Sequence, residues 1–195
     1  MKAYYDRRAP EYDDWYRGHG PWADRDAASW ERELGELVAA IEALPVRTTL
    51  DAACGTGFLT AHLSGEVTAL DQSRRMLDVA RPRLPGVRLV VGDALDLPFQ
   101  DGSFERVFSG HFYGHLEPGD GRRFLAEARR VADELVVVDA AQRHADVPEE
   151  WQERRLSDGS RWSVFKRFFT PERLLAELGG GEVLHEGHWF VMVRA

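Results

Sequence analysis

The sequence predicts an α/β domain with a mostly parallel sheet and helices on both faces. Three observations carry that prediction. Short apolar runs at Thr48–Ala53, Val67–Leu70, Val87–Val91, Arg106–Ser109 and Leu135–Ala140 read as five buried strands. Stretches with apolar residues at three- and four-residue steps lie among them and read as amphipathic helices. Finally, 195 residues without a flexible linker, internal repeat or low-complexity tract suit one domain.

The first strand leads into the stretch the chain is organised around, Thr49 to Thr60, TLDAACGTGFLT. It reads as a strand over Thr48–Ala53, a sharp turn, and a helix beginning near Gly57. Glycine at 55 and 57 lets the backbone adopt unusual dihedrals and approach a ligand closely. A helix starting there points N–H groups at whatever sits over the turn. The second strand, VTALD, ends in Asp71 about 20 residues later, where a carboxylate can accept hydrogen bonds from two ribose hydroxyls. Glycines and acid together predict a nucleoside-containing cofactor. The third position of a dinucleotide fingerprint is Thr60 rather than glycine or alanine, and G-x-G alone also fits an ordinary tight turn.

Composition excludes several classes. Hydrophobic residues at 44% and charged residues at 30% describe a globular protein, and no apolar run approaches the roughly 18 residues of a membrane span. The aromatic, charged N-terminus is not a secretory signal. The single cysteine, Cys54, excludes an intramolecular disulfide and fits the cytoplasm. A net charge of −8 argues against a general nucleic-acid binder.

The stretch DAACGTGFLT resembles the first motif of class I S-adenosylmethionine-dependent methyltransferases, of the small-molecule, type 11/25-like kind. VTALDQSRRMLDVAR resembles the second strand and following helix of that family. VVGDALDLPFQDGSFERVFS resembles its third strand, adenine loop and fourth strand. YYDRRAPEYDDWY resembles an arm that closes over the cofactor. The resemblance covers nearly the whole chain. It implies a doubly wound, Rossmann-like sheet of seven strands with one antiparallel strand near the C-terminus. It also implies S-adenosyl-L-methionine as cofactor, which has no pyrophosphate and so needs no third glycine. Cofactor contacts would come from Tyr5, Tyr12, Asp51, Ala53, Gly55, Gly57, Asp71, Gln72, Met76, Asp93, Ala94 and Ser109. No Asn-Pro-Pro-aromatic run follows the fourth strand, which favours a small-molecule acceptor.

The elements follow in order, with residues 1–45 as arm and first helix. The arm, Met1 to Gly20, is either frayed or a lid carrying Tyr5 and Tyr12. Arg8 serves the cofactor carboxylate or is solvated. From Trp22 to Leu44 a stripe of Trp30, Leu34, Leu37, Val38, Ile41 and Leu44 predicts a helix against the sheet, ended by Pro45. The cofactor core spans 46–140. Within it Ser73 is placed to cap a helix whose Met76 packs in the core or against adenine. Asp93 and the Ala94 amide are candidates for the adenine edge, the alternative being an exposed turn.

The loop after the fourth strand, Ser109 to Leu116, holds His111, Tyr113 and His115. In a doubly wound sheet it borders the ligand. His111 and His115 lack a third partner for a metal, so no metal site is expected. His111 acts as a general base or shapes the loop. His111 and Tyr113 are the candidates beside the transferred methyl. Gly119 to Ala132 reads as a helix, with its arginines outward.

The insertion, 141–169, reads as a hairpin around Asp158-Gly159. Its aromatic and basic residues suggest an apolar or aromatic acceptor carrying an acid group, or else a plain surface cover. Thr170-Pro171-Glu172 starts the last helix, and Glu182–Glu186 with His188–Arg194 form a closing hairpin, one strand antiparallel at the sheet edge. The function this predicts is methyl transfer to a small molecule. Rival readings are a cofactor-binding regulatory or partner module, a nicotinamide oxidoreductase, and transfer to a protein side chain.

Overall fold

The computed structural model describes residues 2–19, 26–142 and 147–195. Seven strands form one sheet: β1 (Thr49–Ala52), β2 (Val67–Asp71), β3 (Arg88–Val91), β4 (Arg106–Gly110), β5 (Glu134–Ala140), β8 (Glu182–Glu186) and β9 (Phe190–Arg194). Their order is β3-β2-β1-β4-β5-β9-β8. Between them, β6 (Glu149–Arg155) and β7 (Arg161–Arg167) pair as a separate antiparallel hairpin.

The helices are α1 (Lys2–Arg8), α2 (Asp14–Arg17), α3 (Ala27–Glu42), α4 (Arg74–Arg83), α5 (Pro118–Val131) and α6 (Pro171–Leu178). The expected start of α3 at Trp22 lies outside the described residues, as do residues 143–146 of the insertion.

β1 and β2 are buried at every residue, as central parallel strands covered on both faces must be. On one face α3 lays Trp30, Leu37 and Ile41 against Phe108, Val136, Val138 and Phe190. On the other, Phe124, Leu125, Ala128 and Val131 of α5 and Leu174 and Leu178 of α6 pack on Leu50, Val107, Val137 and Val193. Ser73 caps α4, accepting from the Met76 amide at 3.2 Å, and Thr170 caps α6 through the Arg173 amide at 3.2 Å.

Two expectations need correction. No α-helix begins at Gly57; turns and a single 3₁₀ turn, Thr60–His62, follow β1 instead. Gly55 and Gly57 sit at φ 56° and 73°, and Gly65 follows at 101°, leaving a stretch too short to propagate a helix. The antiparallel strand is not the edge. β9 inserts between β5 and β8, antiparallel to both, and β8 forms the edge. A register shift between Val183 and His185 interrupts the β8–β9 pairing, and such irregularity blunts an edge against further pairing.

One buried carboxylate ties α3 to the far end of the chain. Glu33 Oε1 accepts from the amides of Trp189 and Phe190, and Oε2 from that of His188, each at 2.8 Å.

Candidate functional site

β1 is where the strand order reverses, with β2 on one side and β4 on the other. A cleft opens beyond the carboxyl ends of these strands, as the topology dictates. It measures about 480 Å³ counted to its open mouth. Ala53 and Gly55 come from the turn after β1, Leu70, Asp71 and Gln72 from the end of β2, and Met76 from α4. Asp93 and Ala94 come from the loop after β3, Gly110, His111 and Phe112 from the end of β4, and Tyr5 and Tyr12 from the arm.

Each Asp71 oxygen holds one backbone amide: Oδ2 accepts from Gly55 at 2.9 Å and Oδ1 from Ser73 at 2.8 Å. The carboxylate thus fixes the glycine turn to the end of β2 while facing the cleft. Burial pushes its pKa up to about 6, against the pull of those two bonds. Gly55 suits its φ of 56°, and the Tyr12 ring of the arm lies in ordinary contact range, 3.8 Å from where a Cβ would sit. Gly57 accommodates α4: a Cβ would lie 2.7 Å from Leu84. Among the described residues, Ala53 and His111 are the non-glycine positions with positive φ, 65° and 55°, and both line the cleft. Such backbone strain clusters at binding sites.

A second recess adjoins the first through Tyr12, Ala53 and Gly110, and Asp51 lines it. Asp51 Oδ2 accepts from Thr60 Oγ at 2.5 Å, whereas Oδ1 is buried without a partner among the described residues. Burial raises its pKa to about 7. Cys54 lines the same recess, and burial raises its thiol pKa well above the usual range, so it is not a poised nucleophile.

A third recess, about 360 Å³, shares Tyr5, Tyr12 and His111 with the cleft. Its other described walls are Arg8, Trp15, His115, Arg154 and Lys166. Lys166 Nζ binds Asp139 Oδ1 at 2.7 Å, and the remaining bonds to Asp139 come from the Gly114 and Ala140 amides. Burial lowers the Lys166 pKa, opposed by Asp139. Arg8 is only 4% exposed, donates to Tyr4 Oη at 2.6 Å and lies over the Tyr12 ring. It is therefore not the solvated arginine that one reading of the sequence allowed.

The arm is latched at both ends. Asp13 accepts from Thr56 Oγ at 2.6 Å and Arg83 at 2.5 Å, and Asp6 accepts from Ser73 Oγ at 2.6 Å. Glu11 receives the Ser157 amide at 2.9 Å, and Tyr4 packs against Leu156, Val164 and Trp162 of the hairpin. The arm is thus ordered as a cover, not frayed.

His111 packs edge-on against Trp15 at 4.6 Å between ring centroids, with Phe190 at 5.6 Å. Neither ring nitrogen has a partner among the described residues, and burial drives its pKa down to about 3. Tyr113 and Ser109 line none of these recesses, contrary to expectation. Tyr113 Oη donates to Glu177 at 2.9 Å and its ring stacks on Phe169 in the core, because the 3₁₀ turn Tyr113–His115 rotates it away. Ser109 is fully buried and bonds the Ala52 carbonyl at 3.2 Å, tying β4 to β1. Sequence reasoning missed Gly110 and Phe112 in the cleft, and Trp15, Arg154 and Lys166 in the third recess.

In sequence and in fold the chain is similar to known methyltransferases. A family model described as a methyltransferase domain matches residues 49–134. The chain carries a class I methyltransferase domain. The cofactor of that class is S-adenosyl-L-methionine. A demethylmenaquinone methyltransferase of Thermotoga maritima is 38% identical over 107 residues, 52% of this chain and 44% of the relative. One from Staphylococcus aureus is 46% identical over 91 residues, 42% of this chain and 37% of the relative. The matched region thus spans less than half the length of these relatives. A solved structure titled a DhpI-SAM-HEP complex superposes with TM-score 0.73 at 28% identity, covering 98% of this chain and 94% of that one. A Thermotoga maritima methyltransferase, described as a possible histamine N-methyltransferase, shares the fold at TM-score 0.68 and 22% identity, covering 100% and 98%. Among the described residues of this methyltransferase domain and its flanks, no helix is long and apolar enough to cross a membrane.

Proposed function

We propose that the chain transfers the methyl group of S-adenosyl-L-methionine to a small-molecule acceptor. The observation that carries this reading is the pairing of two carboxylates around one glycine turn. Asp71 faces the cleft with its backbone bonds already made, and Asp51 presents a buried oxygen without a donor. A ribose diol suits the first and an ammonium group the second, so the residues fit the cofactor. Asp71 and Gln72 would hold the ribose, and Met76, Asp93 and Ala94 would frame the adenine. Ala53, Gly55 and Gly57 would shape the turn under the cofactor. Tyr5 and Tyr12 would cover it.

When bound, the cofactor would supply an electrophilic methyl on a sulfonium whose leaving group is a neutral thioether. The chain contributes position and exclusion of water, which lower the barrier without a dedicated base. His111, neutral and a weak base, serves as a wall between cofactor and acceptor rather than as a proton carrier.

The net charge of −8 supports a small molecule over a nucleic acid, and the lone Cys54 supports a reducing, cytoplasmic setting. Residues 46–140 would act as the cofactor core and 141–169 as the acceptor side. Calorimetric titration with S-adenosylmethionine, S-adenosylhomocysteine and a nicotinamide dinucleotide tests the reading. Micromolar binding of the first two alone is expected; binding of the dinucleotide alone overturns it.

A further inference from the structure

The third recess is unusual for an acidic protein. Among its described walls stand three cations, Arg8, Arg154 and Lys166, and no acid. The acid bonded to Lys166, Asp139, has both oxygens engaged. The cations are not surface groups: Arg8 and Lys166 are 4% and 7% exposed. Arg154 reaches Tyr4 Oη at 3.5 Å and Gln152 at 2.8 Å, both neutral acceptors. The cations also act on each other's surroundings. Beyond burial, Lys166, Arg154 and Arg8 all help to hold the His115 pKa far below its usual value. Lys166 is paired with Asp139, and Arg8 and Arg154 also border a wider recess with Glu11, Asp14, Glu150 and Glu153. The charge facing this narrower recess is nonetheless positive, which suits an anion. The aromatic rings of Tyr5, Tyr12 and Trp15 complete the walls.

The recess meets the cofactor cleft at Tyr5, Tyr12 and His111, so an occupant would lie next to the cofactor. Neither histidine there accepts a proton at neutral pH, since burial lowers the pKa of both. An acceptor atom that already carries a free lone pair suits this setting.

Resting on the methyl-transfer reading above, we propose that the acceptor is a small organic acid whose carboxylate or phosphoryl oxygens are held by Arg154, Lys166 and Arg8. An acid oxygen needs no base. It forms the new oxygen–methyl bond as the sulfur–methyl bond breaks, the electron pair of that bond stays on sulfur, and no proton is displaced. One negative and one positive charge disappear together.

The test uses the full chain saturated with S-adenosylhomocysteine, titrated calorimetrically with acetate, benzoate, methylphosphonate and phenol. Saturable binding of a carboxylate or the phosphonate, but not of phenol, is expected, and the two acid arms identify the oxyanion class. Arg154→Gln should weaken that binding at least tenfold while S-adenosylhomocysteine affinity stays within twofold, which also reports an intact fold. Lys166→Met paired with Asp139→Asn is the second variant, chosen so that no buried carboxylate is left alone. Absence of anion binding to the loaded wild type overturns the proposal, as does anion affinity indifferent to both variants. A tenfold loss of S-adenosylhomocysteine affinity in Arg154→Gln also overturns it, because the cations would then serve the cofactor carboxylate. If S-adenosylhomocysteine itself fails to bind wild type, the methyl-transfer reading falls, and the same titrations on the unloaded chain decide the anion recess separately.

Discussion

The cleft at the strand ends and the cationic recess beside it share three side chains but are built in opposite ways. The cleft draws mainly on contiguous turns after β1, β2 and β3, each held by backbone bonds to a carboxylate or by a glycine. The recess is assembled from the arm, the loop after β4 and the β6–β7 hairpin, with arm and hairpin residues 150 apart in sequence. One is rigid because the sheet fixes it. The other is closed by side-chain latches across long chain separations. Binding a common cofactor and admitting a particular acceptor make these different demands.

Substitutions should separate the two regions. The largest effect is expected from Gly57→Ala, which adds a Cβ 2.7 Å from Leu84 at φ 73°. Left-handed strain and overpacking together should cost about 2–4 kcal/mol, read as a lower urea midpoint. Asp71→Ala should weaken S-adenosylhomocysteine binding by about 1.5–3 kcal/mol in calorimetry, the range for bonds to a charged group. Unchanged affinity would remove Asp71 from the ribose site.

Asp51 gives a pH test of the same region. Its folded pKa of about 7 lies above the usual carboxylate value, so the fold retains a proton that the unfolded chain releases above about pH 4. Stability from this group is therefore lost as pH rises towards 7. Between pH 5 and pH 8, wild type should lose about 2 kcal/mol relative to Asp51→Asn, measured by urea unfolding at both pH values. Parallel curves would show that Asp51 is ionised in the unliganded fold.

The smallest effect should come from the arm, which both regions share. Asp13→Asn weakens the latch to Arg83 and Thr56. Global stability should fall by about 1 kcal/mol or less, while proteolysis within the arm accelerates, since local opening follows its own free energy. An equal loss across the whole sheet would mean that the arm is part of the cooperative core and erase the contrast.

This division also explains what was legible in the sequence. The five parallel strands, the caps at Ser73 and Thr170 and the hairpin about Asp158-Gly159 are local patterns, and all were readable. So were most cleft residues, because strand ends and turn glycines follow one another along the chain. The missing helix after Gly57 was hidden because an apolar run such as FLTAHL fits a helix whether or not it has room to propagate. Tyr113 was misjudged because a 3₁₀ turn changes facing by a third of a turn per residue. Lys166 was hidden because residues Val164 to Phe169 are all buried, so alternation could not say which face it takes. Its partner Asp139 looked like one more residue of an apolar strand.

The Glu33 clamp has a consequence in time. Its three amide partners lie 155 to 157 residues further along the chain. At ribosomal rates of about 5–20 residues per second, α3 waits roughly 10–30 seconds between its own synthesis and that of its partners. Throughout that interval the carboxylate is hydrated and the Trp30 face of the helix has no β9 to cover it. The nascent chain is therefore most exposed to holding factors just before β9 emerges, and a message cut short before His188 would release a chain in which Glu33 has none of its three amides and the Trp30 face lacks Phe190.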